Sequence, residues 1–300
     1  MRGSELALES SWGSHAESIM KEVTLFSPAK INLWLRVLGR REDGFHEVAT
    51  RMLRLSLGDK VTIRMRSAGD SLKIRCSDPT VPTDGTNLVA KALRLFQERT
   101  GVKGAWEIDL EKRVPAGAGL GGGSGNAAVV LRGANELTGG LLSQEALVEM
   151  AGGIGADVAF FALNEAAADG TGRGERVVPV VSPGPITMVL IKPPFPVATP
   201  WAYQRWRDSL ELPGVSYAPQ ITPWGELVND LERPVFEKYL LLPSLKTWLL
   251  RQGECRGALM SGSGSTMFAI TKDGVDGEIL AERVRGYVGE SAWVQVVRAG

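Results

Sequence analysis

The stretch RVPAGAGLGGGSGNAA, residues 113–128, carries six glycines in the nine positions from Gly117 to Gly125. Glycine gives up more backbone freedom on folding than any other residue, so a run this dense is costly to order. What it offers in return is bare backbone. Consecutive N–H groups without side chains can close around an anion. A helix that starts directly afterwards adds unpaired N–H groups and the positive end of its dipole. The small residues that follow predict such a helix from about Ser124 to Leu137, with Ala127 and Ala128 letting it pack close beneath the loop. A flexible linker fits poorly, because linkers are usually rich in Ser, Thr or Pro and do not run straight into an amphipathic helix. A di- or triphosphate is the natural ligand, with Ser124 either capping the helix or turning its hydroxyl toward magnesium.

Three known loop types compete for this reading. The P-loop pattern requires a Lys after its last glycine, and none follows here. Gly117, Gly119 and Gly122 match G-x-G-x-x-G formally. However, the preceding strand alternates and ends at Pro115, and no second strand with a terminal acid follows at the distance of about 20 residues a dinucleotide fold needs. A protein-kinase loop would be followed by a V-A-I-K lysine, which is missing. A dinucleotide-dependent oxidoreductase is therefore a distant reading, and a nucleotide sensor without chemistry is a nearer one.

The rest of the chain bounds what the loop can serve. Its 300 residues make one large or two medium domains, and a net charge of zero argues against a protein held mainly by nucleic-acid phosphates or an acidic membrane. Two histidines (His15 and His46) and two distant cysteines (Cys76 and Cys255) nearly exclude a His/Cys zinc site and a disulfide framework, pointing to a reducing cytoplasm. No apolar run approaches the roughly 18 residues of a membrane span. Residues 1–20 are polar and Ser-rich, lack the organisation of a secretory signal, and are expected to form a disordered extension. Nothing in the sequence fixes the oligomeric state; monomer or homodimer is expected.

Periodicity supplies the organisation. Residues 23–38 read as strand, break at Pro28, strand, with Lys30 and Asn32 on one face. Segments 60–66 and 71–77 read as an antiparallel pair, 86–101 as a helix ending at Gly101, and 105–115 as a strand. Ser143 can cap a helix that follows it. GGIGADVAFFAL (152–163) reads as a glycine turn into an apolar segment, DGTGRGE (169–175) as a hairpin tip, and 197–210 as a helix with Pro200 in its first turn. NDLE (229–232) reads as helix-forming without a role. Mixed antiparallel strands and helices indicate an α+β fold. A domain boundary is expected near 180–185, giving an N-terminal ATP-binding unit (21–180) and a C-terminal substrate-binding unit (181–300).

The pattern P-x-G-x-G-L-G-G-G-S running into a small-residue helix resembles the second motif of the GHMP kinases. SPAKINLWLRVLGRREDGFHEVAT (27–50), GADVAFF (155–161), NDLE and ALMSGSGSTMFAI (258–270) resemble further segments of that family, in the right order over about residues 24–272. P-A-K-I-N-L with D-G-F-H-E is similar to the branch whose acceptor is a cytidine diphosphate conjugate of methylerythritol. The resemblance implies a two-domain α+β fold with a cleft between domains, and ATP with Mg2+ as the phosphoryl donor. Asp157 would be the catalytic base and Lys30 the cation that offsets charge during transfer. Pro115, Gly117, Ala118, Gly119, Leu120, Gly121, Gly122, Gly123, Ser124 and Gly125 would hold ATP phosphates, with Asn87 at the adenine or merely capping its helix. Asn32 would bond substrate or Asp157. Phe45 would stack on the cytosine, His46 would bond its edge, and Thr199 and Tyr203 would add contacts, Tyr203 as the opposite stacking wall. SGSGS (261–265), with Gly257, would form a second glycine turn against the phosphate loop. The chain departs from the family in reading Ser124-Gly125-Asn126 where Ser-Ser-Asn is frequent, in Ala116 for a larger apolar residue, and in Phe45 for a frequent tyrosine.

Overall fold

A computed structural model describes residues 20–300. The extension expected over residues 1–20 lies outside the described residues, apart from Met20.

The chain begins with two long strands, β1 (Lys21–Arg40) and β2 (His46–Arg66), joined by a turn at Asp43–Gly44. The expected break at Pro28 does not occur. Pro28 pairs with Gly58, and the register then shifts before Lys30 pairs with Arg54, so a bulge absorbs the missing N–H without ending the strand. Strand β3 (Ser71–Cys76), helix α1 (Leu88–Thr100) and strand β4 (Ala105–Glu111) follow. Here the sequence-based pairing is wrong. β4 inserts between β2 and β3, antiparallel to the first and parallel to the second, because alternation fixes which face of a strand is buried but not its neighbour.

Helix α2 (Gly122–Leu137) starts two residues before the expected Ser124, with Gly121 as its N-cap. Helix α3 (Gln144–Ile154) is capped by Ser143 and runs through Gly152 and Gly153, so the expected glycine turn is reduced to Gly155, from which α4 (Ala156–Leu163) starts. Strands β5 (Ala167–Thr171) and β6 (Arg176–Pro179) form the expected hairpin, and β5 pairs with β2.

The second half contains β7 (Ile186–Lys192), α5 (Thr199–Trp206), β8 (Gln220–Thr222), β9 (Gly225–Asn229), α6 (Glu232–Lys238), α7 (Leu241–Leu250), β10 (Cys255–Met260), β11 (Met267–Thr271), α8 (Gly277–Val288) and β12 (Trp293–Ala299). The hydrogen-bonded order is β10-β11-β7-β12-β2-β1-β9-β8. One apolar core lies under α1–α4, a second under α5–α8, and a third, including Ile31, Leu33 and Phe268, joins them. The third core buries Ala29, Ile31 and Leu33 on one face of β1, and the two glycine turns close over Lys30 and Asn32 on the other, so β1 is buried on both faces from Ser27 to Leu33. Among the described residues no helix is long and apolar enough to cross a membrane.

Candidate active site

The glycine loop is built by alternation. Ala118 and Leu120 are buried side-chain anchors in the third core, while Gly117, Gly119 and Gly121 take positive φ between and around them. Four consecutive loop carbonyls are occupied from within the protein. Ala118 O accepts from Thr266 N (3.2 Å), Gly119 O from Ser261 Oγ (3.0 Å), Leu120 O from Lys30 N (2.9 Å) and Gly121 O from Gly125 N (2.8 Å). With the carbonyls turned inward, the unpaired N–H groups of the first turn of α2 are the polar groups left to meet a ligand.

Two glycines here have no substitute. A Cβ at Gly119 would overlap the Ser261 carbonyl oxygen, and one at Gly121 would lie 2.8 Å from the Phe161 ring and 3.0 Å from Lys30 Cγ. Gly122, Gly123, Ser124 and Gly125 belong to the helix rather than to a loop, and Ser124, as its third residue, makes no capping bond.

Lys30 reaches this helix start from β1. It is 3% exposed, donates to Asn32 Oδ1 at 2.7 Å and faces Asp157 Oδ2 at 3.2 Å. Asp157 sits in the first turn of α4, where the helix dipole favours its negative charge. Of the two partners expected for Asn32, substrate or Asp157, the Asp157 carboxylate is not one that it bonds within the protein. Instead the Asn32 oxygen receives Lys30 and its amide donates to Thr50 Oγ1 at 2.8 Å, while Thr50 donates to Trp34 O at 2.7 Å. Asn32 is thus the group that orients the ammonium.

Two cavities meet at this pair, sharing Gly119, Ser124, Asp157 and Thr199. One, of about 390 Å³, runs from the glycine loop past Pro115, Ala116 and Lys112 to Asn87. Asn87 lines it, but its oxygen caps α1 through Val89 N at 2.9 Å and its amide donates to Pro82 O. The capping role is therefore present, and no adenine contact is needed to explain the residue. The other cavity, of about 290 Å³, holds Lys30, Asn32, Arg173, Thr199 and Tyr203.

His46 lies beside the second cavity. Its ring centroid is 5.4 Å from Tyr203 and 6.2 Å from Trp206, and burial, with Arg40 nearby, lowers its pKa from the ordinary 6.5. Burial first, and the Asp157 charge second, push the Tyr203 phenol upward, keeping it a neutral donor. The structure thus pairs Tyr203 with His46 rather than with Phe45. Phe45 is 54% exposed, and its ring lies 5.0 Å below the Arg173 guanidinium. Thr199 is not a helix cap, since Ala198 holds that place; its hydroxyl bonds Ser263 Oγ at 2.7 Å.

The second glycine turn, residues 261–265, abuts the loop through Ser261 and, just beyond it, Thr266, as expected, but Gly257 is not part of it: it pairs with Ile270 inside β10, against Leu227 and Gln220. Three supporting residues escaped the sequence reading. Asn229, in NDLE, ends β9 and donates to both Met260 O and Gly262 O at 2.7 Å. Glu232, also in NDLE and at the start of α6, accepts from Met260 N (3.0 Å) and pairs with buried Lys246, and burial raises its pKa. NDLE therefore clamps the second glycine turn, correcting the reading that gave it no role. Asp59 is fully buried beneath the first loop. It accepts from Arg113 N (2.7 Å), Val114 N (2.9 Å), Asn126 Nδ2 (3.0 Å) and Lys112 Nζ, tying both ends of the loop to β2. A signal existed for Asn229 in the quoted motif; for Asp59 there was none, because its partners are distant in sequence.

Magnesium needs few protein ligands when it arrives on a nucleotide, since phosphates and water supply most of its oxygens. The donor set fits that case. No cluster of three or more His, Cys, Asp or Glu suited to caging a metal occurs among the described residues, while Ser124 and Asp157 line the same cleft.

Comparison with known proteins agrees with this architecture. The N-terminal domain of the GHMP kinases matches residues 87–165, and their C-terminal domain matches residues 217–289. The chain is 41% identical over 277 residues to a 4-diphosphocytidyl-2-C-methyl-D-erythritol kinase of Methylacidiphilum infernorum, covering 91% of this chain and 96% of the relative. It is also 41% identical to the chloroplastic kinase of the same name from Arabidopsis thaliana, over 85% of this chain and 69% of that one. A crystal structure of 4-(cytidine 5'-diphospho)-2C-methyl-D-erythritol kinase superposes with a TM-score of 0.74 at 34% identity, covering 93% of this chain and all of the other. With both domains matched and this identity sustained along almost the whole chain, the protein belongs to the 4-diphosphocytidyl-2-C-methyl-D-erythritol kinase family of the GHMP kinases.

Proposed function

We propose that this protein transfers the γ-phosphoryl group of ATP to the 2-hydroxyl of 4-diphosphocytidyl-2-C-methyl-D-erythritol, in the non-mevalonate route to isoprenoid precursors. The observation that carries the mechanism is the Lys30–Asp157 pair, 3.2 Å apart, between the starts of α2 and α4. Phosphoryl transfer asks of a protein mainly alignment, charge neutralisation and a proton acceptor. The first-turn amides of α2, with Gly117–Gly121 behind them, hold the phosphates. Asp157 takes the proton as the hydroxyl oxygen attacks the γ-phosphorus, the bond to the β–γ bridging oxygen breaks, and ADP leaves. The Lys30 ammonium, fixed by Asn32, offsets negative charge at the transferring group.

Mg2+, carried on the nucleotide, would be held with Ser124 and Asp157 and would supply neutralisation of phosphate charge. The cavity past Pro115 takes the adenosine. His46, Tyr203, Phe45 and Thr199 take the cytidyl half, with neutral His46 free to bond the edge of the base. The reading keeps a division near 180–185 between a phosphate-binding unit and a unit that contributes Thr199 and Tyr203, and it places the enzyme in the cytoplasm. The test is ADP release with the cytidyl substrate, compared with homoserine, mevalonate and methylerythritol phosphate. Turnover with the cytidyl compound alone is expected; equal turnover with an acceptor that lacks cytidine would overturn the reading.

A further inference from the structure

The DGTGRGE tip between β5 and β6 was readable as a turn and nothing more, yet it is held against both halves of the acceptor cavity. Gly172 O accepts from Val48 N at 2.7 Å, two residues beyond His46. Gly174, at φ 102°, lies so near α4 that a Cβ there would be 3.3 Å from the Ala156 Cβ, next to Asp157. The base of the hairpin is clamped to β2 by Arg51, which donates to both Asp169 oxygens at 2.7 and 2.9 Å. Glu175 Oε2 accepts from the Arg173 backbone N at 2.6 Å, which fixes the tip itself.

Between the two glycines stands Arg173. We propose that it is a binding residue for the diphosphate of the cytidyl substrate, an inference that rests on the acceptor reading above. Its side chain lines the acceptor cavity and lies over the Phe45 ring. Its ion pair with Glu175 of the same tip is loose, at 3.8 Å and beyond hydrogen-bond reach, and its guanidinium donates no hydrogen bond among the described residues. Lys30, the other cation lining this cavity, is already paired with Asp157.

An acceptor with its base at His46 and its hydroxyl at Asp157 must carry its diphosphate between them, along the wall that the hairpin tip forms. A planar guanidinium with free donors suits two phosphate oxygens at once, which a point-charge lysine matches less well.

The experiment is calorimetric titration of wild type, R173A and R173K with CDP and with cytidine, alongside KM for ATP. Wild type should prefer CDP to cytidine by about tenfold to a hundredfold, the range for hydrogen bonds to charged groups. R173A should lose that preference while still binding cytidine, R173K should keep part of it, and KM for ATP should hold. An unchanged CDP preference in R173A, or a rise confined to the KM for ATP, would overturn the assignment. Wild type that binds neither CDP nor cytidine would instead overturn the acceptor reading, and this assignment with it.

Discussion

At the phosphate end of the cleft, Lys30 and Asn32 are almost wholly buried and the ligand-facing groups are backbone amides, whose carbonyl partners are tied to Thr266, Ser261 and Lys30. At the nucleobase end, the candidate contacts are side chains on separate elements: Phe45, 54% exposed, and Arg173 stand on turns, half-buried His46 opens β2, and Thr199 and Tyr203 project from α5. The first end is rigid because a core, a buried carboxylate and a second glycine turn all brace it. The second is held at a few points and left open. A charge-bearing group common to all nucleoside triphosphates can be gripped by backbone alone, whereas choosing one base requires side chains with edges and faces.

Asp157→Asn removes the proton acceptor at the rigid end while keeping its shape. Turnover should fall by about 10²- to 10⁴-fold, the usual contribution of a general base. A variant that phosphorylates substrate at the wild-type rate would show that the pair is structural.

Gly119→Ala tests the bracing. The added Cβ meets the Ser261 carbonyl at a positive φ, so thermal unfolding should show a loss of about 1–3 kcal/mol, together with a raised KM for ATP. Unaltered stability would mean that the two glycine turns do not constrain one another.

The smallest expected effect lies at the open end and follows pH. Burial depresses the His46 pKa below 6.5, so the imidazole is neutral above that value in folded and unfolded chains alike. As pH falls, the unfolded chain takes up its proton first. The His46 contribution to stability, complete above 6.5, is therefore lost as pH drops through the lower folded value. KM for the cytidyl substrate should rise about three- to tenfold over the same window, as for one hydrogen bond lost, while KM for ATP stays level. A parallel rise in both constants would place the titrating group elsewhere.

The same contrast governs what could be read before the fold was known. The phosphate end announced itself because glycine spacing, a small-residue helix and Asp157 are local signals, and alternation alone put Lys30 beside Asn32. The neighbours of these elements were not local. Nothing in SLKIRC indicates that it pairs parallel with β4, and nothing in LGDK indicates that Asp59 closes a buried network with Lys112 and Asn126. NDLE was visible as a motif, but its service to Met260 and Gly262 depends on β9 lying beside β1 and β10. Arg173 was hidden for the same reason: a turn sequence states its own shape and not the wall against which it docks.

The division of the cleft is tested most directly by equilibrium titration of the inactive Asp157→Asn protein, first with Mg-ATP and then with CDP. Backbone at one end and side chains at the other should accept both nucleotides together, with the CDP affinity unchanged when ATP saturates its site. Displacement of one nucleotide by the other would mean that a single site serves both, and the two-ended arrangement would be wrong.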